Sequence, residues 1–209
     1  MEKTFAFSFQ HWNYGTGDVG NDGVHQMDIA RWSLGADTPS RVTGMAKKVF
    51  FDDDQQTPDT ANITFDFGGK LLQFEMRIWN SYGMEGQENG VSVYGSSGMI
   101  QIGRWNKEWG YRVYNGDGKL EIDESNGRDG NEVHHFQNFF QAMRDRKGLH
   151  AEIETGHKST ILCHLANIVA KTGRNLTFDG VKEQIVNDAE ASRYLRREYR
   201  KHWAMPQGV

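Results

Sequence analysis

The clearest pattern in the sequence is an alternation of apolar and polar residues on both sides of the pair Gly68-Gly69. Apolar side chains occupy every second position from Ala61 to Phe67 and again from Leu72 to Ile78. Successive side chains of a strand point to opposite faces of the sheet, and a glycine pair supplies the positive φ angles that a tight turn needs. The pattern therefore predicts a β-hairpin with one buried and one polar face.

Two weaker copies of this hairpin pattern follow. Residues 91–102 surround the turn-forming sequence GSSG, and residues 109–122 surround the sequence NGDG. Glycine-rich turns between short apolar stretches are typical of antiparallel hairpins. Together with residues 41–51, these segments predict an antiparallel meander of six or seven strands over residues 41–123.

Helices are predicted before and after this meander in the sequence, because apolar residues recur there at helical spacing. The first stripe ends before Gly35, which suits the residue after a helix, and a later one ends before Gly173. A shorter helix is predicted near Asp188. The three stripes consist of Val24, Met27, Ala30 and Leu34; of Val133, Phe136, Phe139, Phe140 and Met143; and of Ile161, Leu162, Leu165, Ile168 and Val169.

These elements predict one α+β domain over residues 1–209. Strands in one block with helices before and after them favour an open, predominantly antiparallel sheet of about six or seven strands with helices packed on one face. No linker, repeat or low-complexity segment divides the chain.

Composition narrows the function classes. The 209 residues include 24 Lys and Arg, 28 Asp and Glu and one cysteine, for a net charge of −4. The mild acidity gives no electrostatic case for nucleic acid or an anionic membrane, and no apolar run approaches the roughly 20 residues of a membrane span. No signal peptide is visible, so we expect a cytoplasmic location, with an export signal on a preceding segment as the open alternative.

A glycine motif near the start of the chain is a candidate cofactor site that we reject. Gly15, Gly17 and Gly20 match GxGxxG, and a helix is predicted after them. A dinucleotide site also needs a buried parallel strand before the first glycine and a βαβ continuation. Residues 10–14 are too polar and bulky for such a strand, and hairpins follow. We interpret the glycines as a flexible loop, and we predict no cofactor-binding or metal-binding residue.

The best candidate for proton chemistry is His25, because it lies near a predicted helix start with Asn21, Asp22 and Asp28 close in sequence. A histidine in such surroundings can exchange a proton near neutral pH. The alternative is that Asn21 or Asp22 caps the helix and His25 is a hydrogen-bonded surface group.

Other chemically notable residues have weaker cases. His157 and His164 share a helix face without the spacing of a metal site, so structural or substrate-side roles are favoured. The aromatic residues Trp12, Tyr14, Trp79 and Tyr82 could line a sugar or nicotinamide face, or belong to the core or its rim. The basic residues near the C-terminus are interpreted as a solvated helix face: Arg193, Arg196, Arg197, Arg200 and Lys201.

Three motifs in order resemble the C-terminal domain of the Gfo/Idh/MocA oxidoreductases. They are HWNYGTGDVGNDGVHQMDIARW at residues 11–32, ETGHKSTILCHLANI at residues 154–168 and TGRNLTFD at residues 172–179. The resemblance extends from about Trp12 to Trp203. It implies the architecture that the periodicity predicts, namely an open antiparallel sheet with helices on one face.

The resemblance also implies site residues. Members of the family are NAD(P)-dependent dehydrogenases of sugars or polyols, in which a histidine of this domain handles protons, often with an aspartate four residues earlier. His25 falls on that histidine, while Asn21 stands where the aspartate would be and can only orient by hydrogen bonding. The catalytic residues expected from the resemblance are His25 and Asn21, and the expected substrate contacts are Trp12, Tyr14, Asp22 and His157.

Family members carry an N-terminal Rossmann domain for NAD or NADP, which is missing here, so we expect neither bound cofactor nor catalytic competence from this chain alone. Lys3 does not match the family's catalytic lysine. The Rossmann domain is expected in cis, on a truncated part of the protein, or in trans on a separate chain. The alternative is a stand-alone, non-enzymatic module for protein assembly.

We also expect a homo-oligomer formed through the open sheet face. The polar positions between the apolar ones would be partly buried in that interface, because an open sheet needs covering or charge at its edges. These positions are Asn62, Thr64, Gln73, Glu75 and Arg77.

Overall fold

The structure, a computed structural model, describes residues 7–125, 132–146 and 148–197. The helices of this part are α1 (Gly17–Asn21), α2 (Gly23–Leu34), α3 (Val133–Asp145), α4 (Ile153–Thr172) and α5 (Ala189–Ser192), with 3-10 turns at Ser8–Gln10, Met84–Gly86 and Arg193–Leu195. The strands are β1 (Arg41–Lys47), β2 (Thr60–Asp66), β3 (Leu71–Arg77), β4 (Gly90–Gly95), β5 (Gly98–Trp105), β6 (Glu108–Asn115), β7 (Leu120–Glu124), β8 (Leu176–Asp179) and β9 (Gln184–Ile185).

The strands form two antiparallel sheets. The first has the order β3-β2-β1-β8-β9 and the second the order β4-β5-β6-β7. The α+β class and the antiparallel meander are confirmed, with seven strands between residues 41 and 124. The sheet divides because residues 78–89 leave the extended conformation between β3 and β4. Strands β8 and β9 escaped prediction because four and two residues are too short to show an alternation.

The predicted hairpin around Gly68-Gly69 is the best defined part of the first sheet. Its register pairs Ile63 with Phe74, and both glycines have positive φ angles, 72° and 127°. The Asp66 carboxylate accepts the N–H of Gly68 at 2.8 Å, which fixes the turn. The face directed toward the helices is apolar, as predicted, and its buried residues are Ala61, Ile63, Phe65, Leu72, Phe74 and Met76.

Helices α2 and α4 cover the apolar face and run antiparallel to each other. Arg31 near the end of α2 contacts Ser159 near the start of α4, and the sulfur atoms of Met27 and Cys163 lie 3.8 Å apart one turn further along. Both helices end, as predicted, at glycines with left-handed φ angles, Gly35 and Gly173.

A buried arginine joins these helices. Arg31 is 7% exposed, and its guanidinium donates to Ser159 Oγ at 3.0 Å and to the carbonyls of Ala36 and Thr155 at 3.1 Å each. The Ser159 hydroxyl in turn donates to the Asp28 carboxylate. The charge is therefore held between α2, the loop after it and α4, with each donor direction used.

A buried aspartate holds the loop between β1 and β2. The Asp59 carboxylate accepts the backbone N–H groups of Val49, Phe50 and Phe51 at 2.9–3.1 Å and the Thr60 hydroxyl at 2.8 Å. Burial by itself would raise the pKa of Asp59, but these donors stabilise the carboxylate and hold its pKa below the ordinary value.

The loop with the GxGxxG motif is tightly packed, so its interpretation as a flexible loop was wrong. A Cβ on Gly15 would lie 2.4 Å from the Cα of Phe9, and one on Gly17, where φ is +66°, would lie 2.7 Å from the Thr57 side chain. A 3-10 turn and not a strand precedes the motif. These glycines therefore serve close backbone packing.

Helix α3 departs from the prediction. It has the predicted apolar stripe, yet none of its residues is buried. The stripe is exposed by between 46% and 55% at Val133, Phe136, Phe139, Phe140 and Met143. Periodicity reveals an amphipathic helix but not what covers its apolar face. Among the helices of the described residues, none combines the length and apolarity needed to cross a membrane.

Replacing Arg31 by Met should destabilise the fold. The change leaves two carbonyls and the Asp28–Ser159 pair without their buried donor, which should lower the free energy of unfolding by about 2–4 kcal/mol. Urea unfolding followed by circular dichroism measures the difference. Arg41→Met, at an exposed arginine of β1, is the matched control and should change stability by no more than about 0.5 kcal/mol. Equal effects of both changes would contradict the role assigned to Arg31.

Asp59 should make stability depend on acid pH. Because folding lowers its pKa, its contribution is complete above the pKa of an unfolded aspartate, about 4, and is lost as the pH falls through the lower folded value. Between about pH 6 and about pH 3 the unfolding free energy of the wild type should therefore fall more steeply than that of Asp59→Asn. The variant should already be weaker by about 2 kcal/mol at the higher pH. Parallel pH curves would refute this assignment.

Candidate functional site

The candidate site lies where α1 passes into α2. The N–H of Asp22 donates to the carbonyl of Asp18 at 3.0 Å, and the N–H of His25 donates to the carbonyl of Asp22 at 3.0 Å. The two short helices therefore follow each other almost without interruption. Asp18, Asn21, Asp22 and His25 are separated by helical spacings of three, four and seven residues, which places them along one side.

His25 is exposed on this side, and its ring makes no hydrogen bond or ion pair with the residues that the structure describes. Asn21 and Asp22 are exposed as well, and the Asp22 side chain does not cap α2. Asp22 does occupy the N-cap position of α2, as the alternative predicts, but without a capping hydrogen bond from its side chain. The ring nitrogens of His25 are therefore open to a hydrogen-bonding ligand at the surface.

Asp18 belongs to this group but was missed in the sequence. Its carboxyl is half-buried: burial first, and then the nearby charge of Asp22, raise its pKa, while a hydrogen bond from the Asn21 side chain opposes the rise. The signal that could have found it is the helical series Asp18, Asp22 and His25, which the glycines at positions 20 and 23 obscure. In this structure the Asn21 side chain forms a hydrogen bond with the Asp18 carboxyl.

Helix α4 and strand β3 hold this segment in place. The Asn167 amide donates to the carbonyl of Thr16 at 2.8 Å, just before α1. At the start of α2, a Cβ on Gly23 would lie 2.8 Å from the Phe74 ring, so the helix begins in direct contact with the sheet. Asp28, by contrast, is occupied by Ser159 and serves the buried arginine.

His157 is not brought beside His25. Its Nε2 lies 2.6 Å from Glu183 Oε1, in the turn between β8 and β9. Arg31 of α2 contacts Thr155 and Ser159, which flank His157 on α4. His25 comes six residues before Arg31 in α2, which is about 9 Å along the helix axis. His157 and His164 do share one side of α4: burial, and then His157, lower the pKa of His164.

The aromatic candidates divide into two pairs. The Lys171 ammonium lies 4.1 Å from the centroid of the Trp12 ring. The Trp79 ring stacks on Phe50, with the two ring centroids 4.9 Å apart. These two rings have protein partners. Tyr14 and Tyr82 are 80% and 79% exposed, so their faces are open to a ligand.

The remaining chemical groups have structural roles or lie outside the described residues. Burial raises the pKa of Cys163 to about 12, which keeps its thiol neutral. Within the described ranges no three His, Cys, Asp or Glu side chains form a group suited to a metal ion. Arg197 donates to the Asn13 carbonyl at 2.9 Å, whereas Lys3, Arg200, Lys201 and Trp203 lie outside the described residues.

Several solved structures similar in fold to this chain are described as oxidoreductases. An NADPH-dependent oxidoreductase of Desulfitobacterium hafniense, assigned provisionally, has a TM-score of 0.64 at 12% identity over 83% of this chain and 52% of its own. The WlbA dehydrogenase of Bordetella pertussis in complex with NADH and UDP-GlcNAcA has a TM-score of 0.58 at 14% identity over 81% and 49%. UDP-N-acetylglucosamine 3-dehydrogenase GnnA of Acidithiobacillus ferrooxidans has a TM-score of 0.54 at 12% identity over 71% and 45%.

The present chain thus spans about half the length of these structures, and at such identities the likeness concerns the fold. No curated protein sequence matches it significantly. Two family models do: "GFO/IDH/MocA C-terminal domain" matches residues 4–101, and "Oxidoreductase family, C-terminal alpha/beta domain" matches residues 121–205. Together they account for most of the chain, which therefore belongs to the Gfo/Idh/MocA oxidoreductase family as a C-terminal domain.

Proposed function

We propose that this chain is the substrate-binding and oligomerisation domain of an NAD(P)-dependent sugar or polyol dehydrogenase. The observation that carries the proposal is His25, exposed and unbonded beside Asp18 and Asp22, in a domain of this family. Two of the solved structures named above are a UDP-N-acetylglucosamine 3-dehydrogenase and a dehydrogenase in complex with UDP-GlcNAcA, which supports a sugar substrate.

In this proposal His25 takes the proton of the substrate hydroxyl at the carbon that is oxidised. Asp22 lies one helical turn before it, at the exposed start of α2. Asn21 holds the Asp18 carboxyl by its hydrogen bond and so orients the acidic end of the group. Tyr14, whose ring is exposed, and Asp22 contact the substrate at the rim of the site. Trp12 contributes through its cation–π contact with Lys171, and His157 through its contact with Glu183.

The cofactor does not fit the glycine loop of this chain. The space that a pyrophosphate would need against Gly15, Gly17 and Gly20 is filled by Phe9, Thr57 and Thr16. The domain therefore depends on NAD or NADP held by a Rossmann domain, in cis or in trans, and is not competent without it. The polar face of the first sheet is proposed as the contact between copies.

The second candidate is a non-enzymatic assembly module. The exposed apolar stripe of α3 favours it, because contiguous apolar surface of this kind marks contact sites. The two candidates differ in what His25 does: a module needs no histidine there.

Replacing His25 by Gln should abolish turnover while leaving assembly intact. We expect NAD(P)H formation from UDP-N-acetylglucosamine and related sugars, catalysed by the chain together with its Rossmann domain, to fall by about 10²–10⁴-fold in kcat. Absorbance at the nicotinamide band measures the rate, and light scattering measures assembly. His150→Gln, at another exposed histidine, is the control and should change neither quantity. Unchanged turnover in His25→Gln would leave the assembly module as the better account.

Replacing Asp18 by Asn should separate stability from activity. Because folding raises the pKa of Asp18, its ionised form destabilises the fold once the pH exceeds the pKa of an unfolded aspartate. The variant should therefore be as stable as the wild type, or more stable, at neutral pH. Turnover should nevertheless fall, and the acid limb of its pH profile should move. Melting temperature and pH–rate curves measure the two effects. A destabilised variant with an unchanged profile would make Asp18 a purely structural residue.

A further inference from the structure

Helix α3 is attached to the domain by the side opposite its apolar stripe. Within this fully described helix the half-buried side chains are Asn138 and Ala142, four residues apart on one side. The Asn138 amide nitrogen donates to the carbonyl of Gly148 at 2.6 Å, and its oxygen accepts the N–H of His150 at 2.8 Å. The apolar residues on the other side, which we call the α3 stripe, therefore face away from the domain: Val133, Phe136, Phe139, Phe140 and Met143.

The spacing of the α3 stripe is that of a contact between two helices. Four of its members follow one another at intervals of three, four and three residues, the seam of a two-stranded coiled coil: Val133, Phe136, Phe140 and Met143. This series of intervals is the same when it is read from either end. An antiparallel second copy of the helix, centred on residue 138, therefore places its Met143 against Val133. In the same way its Phe140 lies against Phe136.

The charges at the two ends of α3 favour the antiparallel orientation. Glu132 stands immediately before the helix, and Arg144 and Arg146 stand at its other end, all of them exposed. The Asp145 carboxylate between the two arginines accepts a hydrogen bond from Gln141 at 2.8 Å. The first end is therefore acidic and the last end has a net positive charge. An antiparallel pair brings unlike ends together, whereas a parallel pair would bring like ends together.

The area of the α3 stripe is sufficient for a weak dimer. About half of each side chain in the stripe is exposed, and a fully buried aromatic side chain covers about 150–250 Å². Five half-exposed side chains therefore offer roughly 500 Å² in each copy, and roughly 1,000 Å² in a pair. Such an area is at the low end for a specific interface, so the stripe predicts a reversible association and not a permanent one.

From the spacing, the end charges and the area we infer that α3 pairs with α3 of a second copy of this chain in antiparallel orientation. The contact is isologous, and its two-fold axis passes near residue 138, so the contact closes on itself. It uses a surface separate from the polar sheet face proposed above. The inference does not depend on the redox function, because the α3 stripe shares no residue with the group around His25.

Disulfide trapping tests the orientation of the pair. Chains with Val133→Cys and chains with Met143→Cys are purified separately, mixed, treated with copper phenanthroline and separated by non-reducing electrophoresis. The antiparallel pair predicts a cross-link between the two different chains, because two cysteines at the same position lie about 15 Å apart along the axis. Cys163 is 1% exposed and does not compete. Cross-linking within each single preparation instead of the mixture, or no cross-linking at all, would overturn the inference.

Charged substitutions in the α3 stripe test the affinity. Analytical ultracentrifugation of the wild type should show an association with a dissociation constant of about 10–100 μM. The double change Phe136→Glu and Phe140→Glu should weaken it by about tenfold or more, because it places carboxylates in the apolar contact. Val181→Glu, at a residue 97% exposed and outside α3, is the matched control and should leave the association unchanged. Circular dichroism checks that each variant is folded.

A charge exchange between the helix ends completes the test. Arg144→Glu alone should weaken the association by about threefold to tenfold at low salt, since both ends of each helix are then acidic. Adding Glu132→Arg should restore it, because the ends are again unlike. An effect of Arg144→Glu that Glu132→Arg does not reverse would refute the antiparallel pair. Stripe variants that associate like the wild type but no longer bind an added Rossmann domain would also refute it, and would make the α3 stripe the docking surface of that domain.

Discussion

The antiparallel contact between α2 and α4 is the constraint on which the arrangement of this domain depends. Three points along α4 fix it: Thr155 and Ser159 hold Arg31, Cys163 meets Met27, and Asn167 reaches back to Thr16. These points span twelve residues of helix, about 18 Å. Hydrogen bonds hold both ends of this contact, so α2 cannot slide along α4. The position of the buried side of α2 therefore also fixes the position of its exposed side, which carries His25.

Most of the fold could be predicted because its elements have strong local signals. The hairpin of β2 and β3 alternates without a break on both sides of a glycine pair, and α2 and α4 each end at a glycine in the left-handed conformation. Signals of this kind depend only on neighbouring residues. The division into two sheets depends on distant contacts and on the course of residues 78–89, and no local pattern records it.

The candidate site could be predicted only in part, for a related reason. His25 has a sequence context that indicates a helix start. Asp18 became visible only when the backbone joined α1 to α2, because Gly20 and Gly23 break the helical pattern that would connect them. The long-range contacts of Trp12 with Lys171 and of His157 with Glu183 join residues far apart in the chain, so no spacing rule could reveal them.

The buried polar groups of this domain differ in how many of their hydrogen bonds are made. Those with a full set of partners have a structural role. Asp59 has three backbone donors and a hydroxyl, and Arg31 uses its donors on three acceptors. Groups of this kind stabilise the fold, since their burial is offset by hydrogen bonds.

Asp18 is different, because burial and the charge of Asp22 both disfavour its ionised form and a single amide opposes them. The same holds for Gln87, Gln101 and Trp105, whose buried polar atoms lack partners among the described residues. A chain selected for stability alone would replace such groups with apolar ones of similar size. Stability alone therefore does not account for the residues at these positions.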